Sequence, residues 1–136
     1  MSDRDAVLFA NEAFYAAFNN RDFKAMEQLW ARESPVSCIH PGGGAIFDRE
    51  AVMASWQSIL SYDSQAPIQY IGPHVRMYGE YAAVVCFEVI GGNNLIATNV
   101  FVREDRAWKL VHHQSGPTAE DPPRAMRSAE GPITFN

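Results

Sequence analysis

The second half of the chain constrains the fold most, because strand-like apolar runs follow one another there with only short turns between them. Gly91-Gly92-Asn93-Asn94 is a strong hairpin signal, and Glu104-Asp105-Arg106 indicates a second tight turn. Gly72-Pro73 indicates a bulge or bend within the first of the runs. The sequence therefore predicts an antiparallel meander, with strands over 68–78, 81–90, 95–103 and 107–115.

Three predicted helices precede the meander, and each starts at a capping residue. Ser2, Asp22 and Asp48 carry the short polar side chains that accept a hydrogen bond from the first turn of a helix. Asn19-Asn20-Arg21 ends the first helix, and a short strand over 36–40 follows the second. Apolar residues recur at helical spacing after each cap: Val7, Ala10, Phe14, Ala17 and Phe18; Phe23, Met26, Leu29 and Trp30; Val52, Met53, Trp56, Ile59 and Leu60. Helices ahead of a sheet indicate the α+β class.

The length of the chain, 136 residues, suits one domain with a buried core, and residues 1–117 hold all of the predicted elements. The remainder, 118–136, is rich in proline and shows neither helical nor strand periodicity. We therefore expect a single domain followed by an irregular C-terminal extension.

Charge and composition restrict the location and the partners. A formal net charge of −5, with no basic run, argues against a nucleic-acid or anionic-membrane partner. The first residues lack the apolar core of a signal peptide, and no apolar run reaches membrane-spanning length, so we expect a cytoplasmic protein. Cys38 and Cys86 lie far apart in apolar runs, which favours two buried, reduced thiols over a disulfide.

Six local motifs follow one another along the chain: Asn20-Arg21-Asp22, Leu29-Trp30-Ala31, His40-Pro41, Ser55-Trp56, Thr98-Asn99-Val100-Phe101, and Trp108 ahead of His112-His113. In this order they resemble the NTF2-like superfamily and, within it, the SnoaL-like (ketosteroid isomerase-like) proteins. The resemblance covers about residues 5–117. It implies an NTF2-like cone, in which three N-terminal helices pack in a curved antiparallel sheet. It also implies an apolar pocket at the open end and a homodimer formed through the outer sheet face.

The predicted strand over 81–90 supports a covered outer face independently. A half-buried strand normally alternates between apolar and polar residues. Here both faces are largely apolar: Ala82, Val84, Cys86 and Glu88 on one, and Ala83, Val85, Phe87 and Val89 on the other. Helices on the inside and a second subunit on the outside account for this pattern.

The superfamily includes isomerases, dehydratases, epoxide hydrolases, polyketide cyclases and non-enzymatic binding modules, so the fold alone does not name the chemistry. Two hypotheses follow. The first is an enzyme that transfers a proton on an apolar carbonyl compound, without a cofactor. The second is a non-catalytic module that binds a small apolar molecule or forms a dimer.

His40 is the candidate for the group that moves the proton. It ends a strand and precedes Pro41 and a glycine run, so its side chain lies where the chain turns at the sheet rim. The ordinary pKa of an imidazole, near 6.5, suits proton transfer at neutral pH. The resemblance implies that His40 takes the place of the aspartate that acts as general base in ketosteroid isomerases. The alternative is a histidine that hydrogen-bonds the glycine-rich loop.

Asn99 is the second catalytic candidate. The resemblance implies that it lies near an acid that helps the ketosteroid isomerases bind an oxyanion. An amide can donate a hydrogen bond to an oxyanion, although it cannot supply a proton. Alternation places Thr98 and Asn99 on opposite faces, so at most one of them lines the pocket as a ligand-binding residue, and we expect Asn99 inward. The alternative is an amide that joins strands at a bulge.

The last strand carries two adjacent histidines, which alternation also places on opposite faces. Strict alternation puts His112 on the face of Trp108 and Leu110. We expect His113 to face the pocket as the third catalytic candidate, paired across the hairpin with Asn99. His112 is then a ligand-binding candidate or lies near the outer face. Two histidines in structural hydrogen bonds are the alternative.

Tyr15, Trp30 and Trp56 are candidate walls of the ligand pocket, because each joins an apolar ring to a polar group. Each could also be a core residue. The resemblance adds weight to Tyr15, because it implies that a tyrosine of the first helix is an oxyanion donor in the isomerase branch.

A metal site, a thiolate–imidazole pair and an epoxide-hydrolase site find little support. A metal would need ligands such as His40, His113 and Glu88 to converge, and the chain has no His-x-His, Glu-x-x-His or Cys-x-x-Cys pair. Cys38 and His40 share a strand face, but such neighbours are about 6–7 Å apart at Cβ and rarely form a tight pair. An epoxide hydrolase would rest on Glu88, the strand-borne acid clear of a turn.

Overall fold

The computed structural model of the protein describes residues 1–123, which form three helices and six strands. In chain order these are α1 (Asp3–Asn19), α2 (Phe23–Leu29), β1 (Ser37–Ile39), β2 (Ala45–Ile46), α3 (Arg49–Leu60), β3 (Ile68–Tyr78), β4 (Tyr81–Ile90), β5 (Asn93–Glu104) and β6 (Ala107–Pro117). The predicted α+β class is confirmed. The two-residue strand β2 is not predicted by the sequence, because it is too short to show a period.

Each helix begins at its predicted cap. The side chains of Ser2, Asp22 and Asp48 each accept a hydrogen bond of 3.1 Å from the backbone N–H three residues further on. A cap of this kind contributes about 1 kcal/mol. After α1 the chain reverses at Arg21, which takes a left-handed φ of 55°. The reversal is tight enough for α2 to pack beside α1.

The strands form one open sheet in the order β2-β1-β6-β5-β4-β3. All neighbouring strands are antiparallel except β1 and β6, which are parallel. The sheet is therefore mixed, where the sequence predicts a purely antiparallel one. Parallel neighbours need a long crossover and leave no hairpin signal between them, so the sequence gives no indication of this pair.

Turns and one bulge of the meander follow the predicted positions. β4 and β5 are joined by Gly91 and Gly92, whose φ values of 56° and 82° are those of a two-residue hairpin turn that favours glycine. The pairing of β3 with β4 shifts between Ile71 and His74. Gly72, with a φ of 65°, lies within this shift, which confirms the predicted bulge.

A second bulge interrupts β6, and the sequence does not predict it. Val100 pairs with His112, whereas the next residue, Phe101, pairs with Leu110, so Val111 is an extra residue. An extra residue shifts the alternation of side chains by one position. Leu110 is fully buried and His112 is half-buried, so the two lie on opposite faces instead of sharing one.

The core lies between the helices and the inner face of the sheet. Its largest fully buried side chains come from both layers: Phe14, Tyr15, Met26, Trp30, Phe101 and Leu110. Burying one large apolar side chain stabilises the fold by about 1.5–3 kcal/mol. Cys38 and Cys86 are both buried, as predicted, and are free in the described structure; that they are reduced stays a prediction.

Residues 118–123 follow β6 without regular secondary structure. Thr118 N–H and Asp121 Oδ1 hydrogen-bond Asn94 at 3.1 and 3.0 Å, so this segment returns to the start of β5. The rest of the predicted extension, 124–136, lies outside the described residues, and the domain bounds stay a prediction. No helix of the described part is long and apolar enough to cross a membrane. The cytoplasmic location stays a prediction as well.

Candidate functional site

A partly open cavity of about 370 Å³ is lined by residues of α1, α3, the inner face of the sheet and the adjoining loops. This volume is in the range of small-molecule sites. Three titratable side chains, His40, Glu88 and His113, lie in its wall. The remaining lining residues are Pro41, Gln65, Phe14, Phe18, Trp56, Ile59, Ile68, Ile90 and Leu95. The wall is therefore mostly aromatic and aliphatic, and its three ionisable groups lie on β4, on β6 and just past the end of β1.

His40 lies just past β1, where the chain leaves the sheet. Its Nε2 is 2.9 Å from Ser55 Oγ on α3, and this hydroxyl donates its one hydrogen to the carbonyl oxygen of Val52 at 2.7 Å. Nε2 must therefore carry the hydrogen that Ser55 accepts, which leaves Nδ1 as the acceptor of the neutral ring. Burial lowers the pKa of His40, so the ring is neutral at pH 7. The ring is held by a helix and not by the glycine-rich loop.

The two cavity histidines are separated by aromatic packing. The His40 ring meets Trp56 edge to face, with centroids 4.7 Å apart, and Trp56 lies 5.7 Å from the His113 ring. Phe14 packs on the other side of His113 at 5.0 Å. The centroids of His40 and His113 are 6.4 Å apart. Both rings therefore face one small ligand volume without bonding each other.

His113 is buried beside Asn99, its register partner on β5, as predicted. His113 Nδ1 lies 2.6 Å from Asn99 Oδ1, while Asn99 Nδ2 donates to Asn11 Oδ1 at 2.8 Å and to the Tyr15 hydroxyl at 3.2 Å. An amide oxygen only accepts, so His113 Nδ1 is the donor and Nε2 is the acceptor of the neutral ring. Burial is the main cause that lowers the pKa of His113 to about 3.

Glu88 is the buried acid of the cavity wall. Its Oε2 accepts a hydrogen bond from the Tyr15 hydroxyl at 2.6 Å, and its Oε1 accepts one from the Ser115 hydroxyl at 2.7 Å. Burial raises the pKa of Glu88, and the two hydrogen bonds offset part of the rise. The Tyr15 hydroxyl is also 3.3 Å from Cys86 Sγ, and burial raises the pKa of Tyr15 as well. Tyr15 thereby joins Glu88 to the Asn99 contacts in one buried network.

Three of the predicted ligand-binding residues lie away from the cavity. The bulge in β6 places His112 on the outer side of the sheet, where its Nδ1 is 2.7 Å from Ser37 Oγ. Thr98 is half-buried on the face opposite Asn99, as alternation requires. Trp30 is fully buried in the core and is not part of the cavity wall. None of the three is placed to contact a ligand in this cavity.

The remaining candidates divide into cavity residues and residues behind them. Trp56 lines the cavity together with the two catalytic candidates His40 and His113. Tyr15 and Asn99 are 1% and 0% exposed and do not line it, because their polar groups are bonded within the core. In this arrangement they orient cavity residues and do not themselves reach a ligand.

Asn11, Ser55 and Ser115 complete the site without being predicted by the sequence. Asn11 had a signal, since it lies at helical spacing among the buried apolar residues of α1, where an amide requires partners. Glu88 is a site residue that the sequence suggested only for other chemistries, although it shares the buried face of β4. Ser55 belongs to the Ser55-Trp56 motif, but the sequence gives it no role in the site. Ser115 carries no signal, because a hydroxyl is compatible with either face of a strand.

Metal and thiolate chemistry receive no support from the described geometry. Within residues 1–123, no three His, Cys, Asp or Glu side chains come together so that they could hold a metal ion. Cys38 Sγ is 3.6 Å from His40 Nε2, closer than the strand spacing suggests. Burial raises the pKa of the Cys38 thiol to about 12, so it is protonated at pH 7 and is not a nucleophilic thiolate.

The family of the chain follows from its sequence together with this fold. Residues 7–120 match the SnoaL-like domain family. The chain belongs to this family, and its three helices on a six-stranded sheet form the NTF2-like fold that the motifs predicted.

Solved structures and a curated protein resemble the chain at moderate identity. A proposed dehydratase of the NTF2-like family from Streptomyces avermitilis is 30% identical, with a TM-score of 0.76 over 85% of this chain and 96% of that one. A proposed calcium/calmodulin-dependent protein kinase type II association domain from Thiobacillus denitrificans is 31% identical, with a TM-score of 0.72 over 80% of this chain and 92% of that one. The F-box protein SKIP8 of Arabidopsis thaliana is 28% identical over 112 residues, 81% of this chain. The match spans about half, 48%, of that curated relative.

Proposed function

We propose that the chain is an enzyme that acts on a small apolar carbonyl compound by proton transfer, with His40 as the group that moves the proton. The observation that carries this proposal is the pair of neutral imidazoles, 6.4 Å apart, in the wall of one largely apolar cavity. A base next to an apolar volume can remove a proton from carbon without competition from bulk water.

His40 suits the role of base better than His113. The pKa of His113 is lowered to about 3, whereas burial lowers that of His40 less, because its ring is only half-buried. A base works best when its pKa lies near the operating pH. In the proposed step, the neutral His40 takes a proton from the carbon next to the carbonyl group, and the electron pair of that bond moves toward the carbonyl oxygen. The resulting imidazolium then returns a proton, which completes an isomerisation or assists the loss of a hydroxyl group.

The residues behind the cavity have positioning roles in this proposal. Asn99 fixes the His113 ring through the 2.6 Å contact with Nδ1, and Tyr15 fixes the Glu88 carboxyl through the 2.6 Å contact with Oε2. Glu88 is a further titratable group on the same wall, with a pKa raised by burial. The likeness to a proposed dehydratase supports this class of chemistry, since dehydration also needs a base and a proton donor.

The proposal is tested by proton exchange on a simple ketone. 2-Tetralone, a bicyclic ketone with exchangeable hydrogens beside its carbonyl group, is incubated in D2O with the protein, and the loss of those hydrogens is followed by proton NMR. The wild-type protein should accelerate exchange over buffer, and His40→Gln should reduce the acceleration by about 100-fold or more. His74→Gln, the same substitution at an exposed residue of β3, should keep the wild-type rate. A wild-type rate equal to that of buffer, or a His40→Gln rate equal to that of wild type, would refute the proposal.

A second candidate function, a non-catalytic oligomerisation module, rests on the outer face of β4. Val85, Phe87 and Val89 are only half-buried there, so an apolar surface faces away from the helices. The likeness to a proposed kinase association domain is in keeping with such a surface. We propose that this face joins two copies of the chain in a homodimer. Phe87→Asp should then yield a monomer in analytical ultracentrifugation, whereas Phe47→Asp, at a residue 75% exposed, should not alter the mass. A monomeric wild type would refute the dimer.

A further inference from the structure

From the hydrogen-bond directions around His113, we infer that the cavity selects a neutral ligand that donates a hydroxyl hydrogen bond to His113 Nε2, and that Asn11 sets this preference. The inference rests on the proposed function only in taking the same cavity as the ligand site. It adds a substrate class, hydroxyl or enol compounds, and a positioning residue on α1.

The direction of the network is fixed at the Tyr15 hydroxyl. This hydroxyl donates its hydrogen to Glu88 Oε2 at 2.6 Å, so toward Asn99, 3.2 Å away, it offers only lone pairs. The side of Asn99 that faces Tyr15 must then be the N–H side, and its oxygen must face His113. Reversing the Asn99 amide would set its oxygen against the oxygen of Tyr15.

Asn11 favours the same orientation of the Asn99 amide, from the side of α1. Its Oδ1 accepts from Asn99 Nδ2 at 2.8 Å, and both side chains are 0% exposed, so water does not replace this bond. With its amide oriented in this way, Asn99 presents Oδ1 to His113 Nδ1 at 2.6 Å. The hydrogen of the neutral His113 ring therefore lies on Nδ1, and Nε2 carries a lone pair. A buried residue of α1 thus decides whether His113 accepts or donates toward a ligand.

The other polar side chains of the cavity wall do not supply a hydrogen-bond donor that would favour a ketone or ether oxygen. The hydrogen of His40 Nε2 is bonded to Ser55, and both oxygens of Glu88 are bonded to hydroxyls. The indole nitrogen of Trp56 has no hydrogen-bond partner among the described residues, but it is buried below the accessible surface and is therefore not exposed to a ligand in the cavity. Gln65, half-buried, carries both a donor and an acceptor and does not discriminate between ligands.

The side chains of the cavity wall predict which classes of ligand bind most tightly. The lining residues include neither lysine nor arginine, so a carboxylate would lose its hydration without gaining a positive partner. An ether or ketone oxygen placed at His113 would bring its own lone pair against the lone pair of Nε2, so no hydrogen bond would form. A hydroxyl group satisfies Nε2 directly. An enol carries such a hydroxyl; it forms from a ketone when a base removes a proton from the neighbouring carbon and a proton is then returned to the oxygen. The cavity therefore favours the enol over the ketone.

The test compares three probes of one shape by isothermal titration calorimetry: 2-naphthol, 2-methoxynaphthalene and 2-naphthoate. At pH 7, 2-naphthol should bind at least about tenfold more tightly than each of the others, because an unsatisfied buried acceptor costs about that factor. Asn11→Leu removes the acceptor of the Asn99 amide and should reduce the preference for naphthol toward unity. Asn11→Asp keeps an acceptor oxygen in the same place and should retain the preference. Nitrogen-15 NMR of the His113 ring should show the hydrogen on Nδ1 in the wild type and a mixture in Asn11→Leu.

The outcomes separate this inference from the proposed function. Equal binding of naphthol and methoxynaphthalene, or tighter binding of naphthoate, would overturn the inference while leaving a ligand cavity. A hydrogen on His113 Nε2 in the wild type would overturn it on its own, whatever the fold of the variants. Absence of binding by all three probes would overturn the ligand cavity and the inference together. Exchange of 2-tetralone that is lost in His40→Gln would support the proposed function, whichever of these binding results is obtained.

Discussion

Replacing Asn99 with alanine should destabilise the fold by about 3 kcal/mol, although the residue lies in a candidate site. The substitution leaves two buried groups without partners, the Nδ1–H of His113 and the Oδ1 of Asn11. Each orphaned polar group costs about 1–3 kcal/mol when it is buried. His113 is 3% exposed and Asn11 is 0% exposed, so water can satisfy neither without opening the core.

The size of the effect can be measured by urea denaturation. With a slope of about 2 kcal/mol per molar urea for a small domain, a loss of about 3 kcal/mol lowers the midpoint by about 1.5 M. Asn93→Ala is the matched control, because it is the same substitution on the same strand at an exposed residue. It should change the stability by less than about 0.5 kcal/mol. All variants are compared at one protein concentration, since a dimer couples stability to concentration. If Asn99→Ala shifted the midpoint no further than Asn93→Ala, the buried network would not exist as described.

Three further predictions concern single groups. Burial raises the pKa of Glu88 and the Tyr15 hydroxyl lowers it, so Tyr15→Phe should raise that pKa further in a carbon-13 NMR titration; an unchanged pKa would contradict the contact. The pKa of His113 falls from 6.5 to about 3 on burial, so the unfolded chain takes up a proton first as the pH falls. Stability should therefore decrease between pH 6.5 and 3 by up to about 1.4 kcal/mol per pH unit, and His113→Gln should flatten this slope in urea denaturation. Although burial raises the pKa of Glu104, hydrogen bonds from three backbone N–H groups lower it overall. Because solvent screens this solvent-accessible carboxylate, Glu104→Gln should cost about 1 kcal/mol, mainly above pH 4.5. Glu80→Gln, at an exposed turn, should cost less than about 0.5 kcal/mol, and equal losses would contradict the role of Glu104.

The parts of the fold that could be predicted are those whose physical cause is local. A cap such as Ser2 or Asp48 bonds a backbone group three residues away, and a Gly91-Gly92 turn bonds its own flanking strands. The helices, the four long strands and the first bulge all follow from such short-range signals. The family motifs extend the prediction to the overall architecture, because the order of the elements is itself informative.

The parts that could not be predicted depend on distant partners. The parallel pairing of β1 with β6 joins segments about 75 residues apart, as does the contact of Ser37 with His112. The bulge at Val111 interrupts the alternation that was used to assign the last strand. Strict alternation without the bulge places His112 on the same face as Leu110. The bulge moves the two residues to opposite faces.

The candidate site shows the same division at the level of single side chains. The inward placement of Asn99 and its pairing with His113 follow from alternation and hairpin register, and both are observed. Its hydrogen-bond partner Asn11 is 88 residues away, and the partner of His40, Ser55, lies on a helix whose orientation the sequence does not give. Contacts between distant segments, helix orientation and the uninformative serine hydroxyls limited the prediction of the site.

The measurement that tests the central claim most directly is a crystal structure of the protein grown with 2-naphthol. The account predicts density for the two fused rings in the cavity beside Trp56, with the hydroxyl oxygen about 2.7–3.0 Å from His113 Nε2 and Asn99 Oδ1 still bonded to Nδ1. A cavity closed by side chains, or naphthol bound only at other surfaces, would contradict the claim that this wall of histidines and aromatic residues is a ligand site.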